Sequence, residues 1–224
     1  MKSSFFFLLL LISVFTTAQN RQLGIIISPD FSHHYTRYED LSLKINENET
    51  AKFGYRAGLN FMFTIKKEKW FLNTGLVYAN RGFQSKKINI ENTLNEPKIA
   101  ENQRYRYHFH YTDIPLQVQY YLIEKNTFKG FVAFSAIPSF MFRESMIHIY
   151  YKDNNTDRVR NGSFPNRFFN VFTGISGGIL YNITDKHTLL VEPHFEYGWI
   201  SLQNEAFVTR LWSFGLKAGF FICL

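Results

Sequence analysis

The feature that most limits how this chain can fold is a two-residue alternation of apolar and polar side chains, sustained over segments longer than an ordinary strand. In residues 52–65, KFGYRAGLNFMFTI, one face carries Phe53, Tyr55, Ala57, Leu59, Phe61, Phe63 and Ile65. The other carries Lys52, Gly54, Arg56, Gly58, Asn60 and Thr64, with Met62 the exception. In residues 189–199, LLVEPHFEYGW, Leu189, Val191, Pro193, Phe195, Tyr197 and Trp199 oppose Leu190, Glu192, His194, Glu196 and Gly198. Side chains two apart share a face only in a strand, so each segment reads as a strand with one apolar and one polar side.

Eight such segments are predicted: 22–28, 52–65, 70–82, 104–122, 128–137, 168–181, 189–199 and 211–222. Within 104–122 the apolar phase reverses at Asp113–Ile114. A β-bulge beside Pro115 would do this by inserting one residue, and a break between two strands would do it equally. Several segments exceed the five or six residues usual in a soluble sheet. They suit tilted strands crossing a bilayer, which need about 9–11 residues. The connections at 66–69, 123–127 and 182–187 are tight, whereas those at 29–51, 83–103, 138–167 and 200–210 are longer. That parity matches a transmembrane barrel with short periplasmic turns and long external loops. The expected fold is therefore all-β: a closed antiparallel transmembrane β-barrel of about eight strands in an up-and-down meander, with both termini periplasmic.

The N-terminus supplies a route to that location. Lys2 precedes an apolar run over residues 5–14, followed by Thr16, Thr17 and Ala18. This is the three-part layout of a secretory signal peptide. The run is too short for a helical anchor, which needs about 20 apolar residues. Residues 1–18 are assigned as a cleaved signal peptide and 19–224 as the outer-membrane barrel domain. Cys223 is the single cysteine, so no internal disulfide can form. The net charge of +7 comes from scattered Lys and Arg without a nucleic-acid-binding motif, and suits loops near anionic headgroups.

Aromatic residues make up 18% of the chain. Trp70, Tyr78, Tyr120, Tyr121, Tyr181, Tyr197, Trp199 and Trp212 sit near segment ends, where interfacial girdles are expected. The opposite face holds Arg56, Asn60, Asn73, Arg81, Gln117, Gln119, Asn170, Ser176, Glu192, His194, Glu196 and Lys217. An eight-stranded interior is just wide enough for side chains, and charges there must pair or be hydrated. A polar network is expected from Arg56, Arg81, Glu192, His194, Glu196 and Lys217, with the glutamates against the cations.

Other groupings carry less. His194 near Ser201 would be the start of a hydrolytic triad, but nothing in the spacing sets a base against a nucleophile. His108 and His110 with Asp113 suggest a metal site, yet no second cluster completes it. His33 and His34 read as solvated loop residues. No catalytic, cofactor-binding or metal-binding residue is assigned, and no cofactor is expected. Residues 146–164 form a long polar stretch suited to recognition.

The segments GYRAGLNF (54–61), GLVYANRGF (75–83), YTDIPLQVQYYL (111–122), GISGGILYNI (174–183), LLVEPHFEYG (189–198) and WSFGLKAGFFI (212–222) resemble the Bacteroidetes outer-membrane β-barrel domain family, the PorT-like proteins. The resemblance implies eight strands, a signal peptide and an outer-membrane location. It brings no catalytic motif, and it links some members to secretion or gliding machinery. The expectation is a monomeric, non-enzymatic scaffold among outer-membrane lipids, contacting an envelope or secretion-machinery protein and no nucleic acid. A narrow channel is the alternative. A lipid-modifying enzyme and a secreted lipocalin-like carrier are less favoured.

Overall fold

A computed structural model describes residues 21–37, 47–66, 69–89, 102–152, 155–161, 167–202 and 208–224. The segment assigned as a signal peptide lies outside the described residues. The strands are β1 (Arg21–Arg37), β2 (Glu49–Lys66), β3 (Trp70–Ser85), β4 (Ile88–Asn89), β5 (Asn102–Asp113), β6 (Leu116–Glu124), β7 (Phe128–Lys152), β8 (Asn155–Asn161), β9 (Phe169–Asn182), β10 (His187–Gly198) and β11 (Val208–Cys223).

All belong to one antiparallel sheet in which sequential neighbours pair, as in a meander. β5 and β6 both lie between β3 and β7, while β4 adds to β5 and β8 to β7. β1 pairs with β2 on one side and with β11 on the other. Three tight turns and both described chain ends gather at one end. There Leu224 donates its backbone N–H to Arg21 O at 2.9 Å, and Cys223 N–H donates to Lys186 O at 2.9 Å.

Alternation decides which face each strand buries. β1 exposes Ile25, Ile27, Phe31 and Tyr35 and buries Ile26, Ser28, Asp30, Ser32, His34 and Thr36. The strand therefore runs nine residues beyond the predicted end at Ser28, into what was expected to be a connection. Pro29 and His33 interrupt the apolar row of the exposed face there, so hydrophobic alternation alone does not carry past Ser28. His33 and His34 are accordingly strand residues. His34 is buried against Phe83, and its Nε2 lies 2.6 Å from Glu49 Oε2. The expected connection at 138–167 is likewise corrected: β7 continues to Lys152 and folds back as β8.

The bulge considered at Asp113–Ile114 is absent. Val77↔Asp113 and Thr74↔Leu116 share one register on β3, and Asp113↔Ser139 and Leu116↔Ala136 share one on β7. β5 and β6 are thus two elements in a single register, interrupted where Pro115 has no N–H to give. The buried row Phe109, Tyr111, Asp113, Gln117, Gln119, Tyr121 runs straight through. What changes at Pro115 is the chemistry of the faces. Aromatics occupy the buried face of β5, whereas Leu116, Val118 and Leu122 occupy the exposed face of β6.

The buried face is layered. Ile26, Met62, Phe71, Val77, Tyr121, Phe131, Leu180, Leu190 and Phe221 form one apolar cluster near the tight turns. Ala79, Phe83, Phe109, Tyr111, Ile137, Met141, Phe172, Leu202 and Leu211 form a second toward the long connections. Tyr121 therefore belongs to the core and not to a girdle. Trp70, Tyr181 and Trp199 are exposed. Polar residues separate the two clusters. On β11, Lys217 and Ser213 come between Phe221 and Leu211, and on β6–β5, Gln119, Gln117 and Asp113 come between Tyr121 and Tyr111.

Gly82 is required by its backbone. Its φ is +152°, and a Cβ there would strike the Tyr107 carbonyl. Its N–H donates to Ser32 Oγ at 2.8 Å, and its carbonyl accepts from the same hydroxyl at 2.8 Å. Gly82→Ala is expected to cost about 1–3 kcal/mol of stability, the usual penalty for forcing a side chain into a glycine-only region. Urea unfolding of protein refolded in detergent measures it, and a loss well below that range would show that the bend relaxes.

Candidate functional site

The polar layer is built from side chains that period-2 strands deliver to one level. Arg56 of β2 donates Nε to Asp30 Oδ2 of β1 at 2.5 Å, and its two terminal nitrogens contact Glu196 Oε1 and His194 Nε2 of β10. Arg81 of β3 makes a bidentate pair with Asp113 of β5 at 3.1 and 2.7 Å, and Nη2 also donates to Glu196 Oε2 at 2.9 Å. Glu196 thus bridges two guanidinium groups. The Arg81 guanidinium also stacks over the Phe172 ring at 4.2 Å, which joins the charged layer to the second apolar cluster. Ser28 Oγ donates to Asp30 Oδ1 at 2.6 Å. His194 Nε2 faces both the Arg56 guanidinium and Asp30 Oδ1, the latter at 3.3 Å.

A second group lies closer to the tight turns. Lys217 Nζ and Gln117 Nε2 both donate to Glu192 Oε1, at 2.9 and 2.7 Å. An ionised carboxylate only accepts, so Gln117 must turn its NH₂ to Glu192 and its oxygen the other way. That oxygen accepts from Asn73 Nδ2 and Gln119 Nε2, each at 3.2 Å. One carboxylate therefore orients three buried amides. Asn73 Oδ1, Gln119 Oε1 and Glu192 Oε2 remain as acceptors with no protein donor. The adjoining cavity, lined in part by Asn60, Gln117, Ser176 and Glu192, holds about 30 Å³, room for a water or two.

The structure brings the six sequence-selected residues into these two groups: Arg56, Arg81, His194 and Glu196 in one, Glu192 and Lys217 in the other. Sequence reasoning missed Asp30 and Asp113. Asp30 fell in the stretch read as a connection, although Phe31 and Tyr35 keep β1's alternation going past it. Asp113 was weighed as a metal ligand. Lys52 was placed on the polar face but left out of the network. Its Nζ donates to Asn80 Oδ1 at 2.5 Å and lies 3.4 Å from Arg81 O. The three ion-paired cations Arg56, Arg81 and Lys217 engage the four carboxylates Asp30, Asp113, Glu192 and Glu196, all on the buried side.

The discarded groupings separate in space. Asp113 is on the buried row, whereas His108 and His110 occupy the alternate positions of β5. Among the described residues no cluster of three metal-ligating side chains occurs. Ser201 Oγ accepts from Thr209 N at 3.0 Å, while His194 is held by Arg56.

A family model described as the outer membrane protein beta-barrel domain matches residues 17–204. The chain belongs to this family and is an outer-membrane β-barrel protein. No curated protein matches it by sequence. Among solved structures it is similar to the Neisserial surface protein A (10% identity, TM-score 0.46, covering 90% of this chain and 96% of that one). It is also similar to the outer membrane protease OmpT from Escherichia coli (10% identity, TM-score 0.46, covering 93% and 98%). A third is the attachment invasion locus protein Ail of Yersinia pestis (10% identity, TM-score 0.36, covering 89% and 97%).

Proposed function

We propose that the sheet closes on itself as an eight-position transmembrane barrel with a filled interior, and that it acts as an interaction scaffold in the outer membrane. The observation that carries this reading is the ion-paired layer sandwiched between two apolar clusters. Ion-paired groups, two of them buried guanidinium groups, fill the cross-section that a pore would need. Closure is supported by β1 pairing with both β2 and β11, which leaves neither the first nor the last strand with an unpaired edge in hydrocarbon.

Short turns are periplasmic in such barrels, so both termini, which share an end with the tight turns, are assigned to the periplasm. Residues 1–18 are the export signal, removed on translocation. The quoted segments favour kinship with the PorT-like proteins of Bacteroidetes. Contact with an envelope or secretion partner falls to the strands that extend past the apolar belt, above all the β7–β8 hairpin. The protein is taken as a monomer without catalytic activity, its buried polar side chains being used in ion pairs within the sheet.

Planar-bilayer recording of the purified, refolded protein tests the filled interior. No unitary conductance is expected. Reproducible steps would overturn the scaffold in favour of a narrow channel. An altered lipid A or phospholipid profile in cells overproducing the protein would point instead to a lipid-modifying enzyme.

A further inference from the structure

The exposed face of the sheet changes character abruptly on one side. Leu59, Leu76, Ile114, Leu116 and Phe134 are all exposed and apolar. Toward the long connections the next row is Ala57, Tyr78, Thr112 and Phe140, in register across β2, β3, β5 and β7. The row after that is Tyr55, Asn80, His110 and Arg143, followed by Gly82, His108 and Ser145. These rows contain no carboxylate. Glu144, next to Arg143, pairs with Phe109 of the buried row, and Glu49 is engaged by His34. Exposed Phe142 and Tyr55 flank the row.

The hydrogen bonds orient the polar groups. Lys52 Nζ donates to Asn80 Oδ1 at 2.5 Å, which identifies that atom as the amide oxygen. Asn80 therefore turns its NH₂ to His110 Nδ1 at 3.3 Å, and the Tyr78 hydroxyl lies 2.6 Å from the same nitrogen. Nδ1 of His110 accepts, so its proton sits on Nε2. The same Asn80 oxygen takes His108 Nδ1 at 3.3 Å. A buried lysine thus sets the donor pattern of two half-buried histidines, with an exposed guanidinium one strand away.

We propose that this row is a binding site for the phosphate of a lipid headgroup in the outer leaflet. The Arg143 guanidinium supplies charge-assisted donors beside the His110 imidazole, its register partner, and Tyr55 and Tyr78 place amphipathic rings at the level where such rings settle. On β3, β5 and β7 the row stands beyond the exposed Leu76, Ile114, Leu116 and Phe134 of the apolar belt, on the side where headgroup phosphates lie. The orientation rests on the transmembrane-barrel reading above.

The test reconstitutes the protein, wild type or Arg143→Ala, His110→Ala and His110→Gln, into phosphatidylcholine vesicles doped with phosphorylated lipid A or its dephosphorylated form. Lipid retained after detergent extraction is counted by mass spectrometry. Enrichment of the phosphorylated form is expected, with a loss of about fivefold for Arg143→Ala, since one Arg near an anionic surface contributes about that factor. His110→Gln, which keeps a donor, should retain more than His110→Ala. Equal retention of both lipids, or retention unmoved by Arg143→Ala, overturns the site. Complete displacement by millimolar inorganic phosphate would show that free phosphate, not the lipid, is recognised. Wild-type protein that never reaches the heat-resistant, fast-migrating form in vesicles removes the barrel reading and this site with it. Insertion without lipid preference removes the site alone.

Discussion

Glu196→Ala is expected to destabilise the folded protein by about 3–5 kcal/mol, the usual cost of leaving buried charge without its partner. The substitution strips a shared carboxylate from Arg56 and Arg81 at once, and both guanidinium groups are almost wholly buried. Arg81 keeps its bidentate pair with Asp113, and Arg56 keeps Asp30, so the structure weakens without losing the network entirely. Urea unfolding in lipid vesicles measures the loss, and salt should barely change it because buried pairs are poorly screened. A second variant separates pairing from packing. Replacing Glu196, Arg56, Arg81, Asp30 and Asp113 together by apolar residues of similar volume should recover much of the stability, because apolar substitutes for whole buried ion networks are often neutral. A loss below about 1 kcal/mol for Glu196→Ala would mean that water reaches this layer freely, and the filled interior would no longer hold.

The second large effect concerns the other face. Phe195 and Leu59 are 42% and 50% exposed on the apolar belt, at the level of the charge layer. Phe195→Arg or Leu59→Arg is expected to cost about 2–4 kcal/mol near the bilayer midplane. The exposed Ile183, in the turn after β9, provides the depth control. Ile183→Arg should cost only about 0–1 kcal/mol, as at a membrane interface. Refolding yield into vesicles and heat-resistant gel mobility report all three. Equal penalties at the three sites would show that the belt does not lie across hydrocarbon.

Where the exposed face carries a sustained apolar row, alternation located the strand from sequence to within a few residues, as in β2, β9, β10 and β11. Where that row is interrupted, as by Pro29 and His33 in β1, the same rule failed. Asp30, Ser32 and His34 look like loop chemistry until Phe31 and Tyr35 are read as the exposed side of the same strand. In the segment that became β5 and β6, hydrophobicity changed phase while geometry did not. The buried row simply passes from aromatic to polar side chains, and of the two readings that the phase reversal allowed, the break between two strands is the one the structure shows. The extent of β7 was hidden for a related reason: beyond Ile137 both faces mix apolar and polar residues, and no period stands out.

The amino-acid sequence by itself determined the class of fold, through side-chain period and strand length, and placed polar groups such as Arg56, Arg81 and Glu196 on one face. Those are local properties of an extended backbone. It could not say which charge meets which. Asp30 reaches Arg56 from 26 residues away and Glu196 reaches it from 140, through register and strand order. Nor could it show that Glu192 orients three amides, or that Lys52 orients Asn80 and through it His110. Such choices follow from which side chains share a level once the strands are paired, and that is decided only by the tertiary structure.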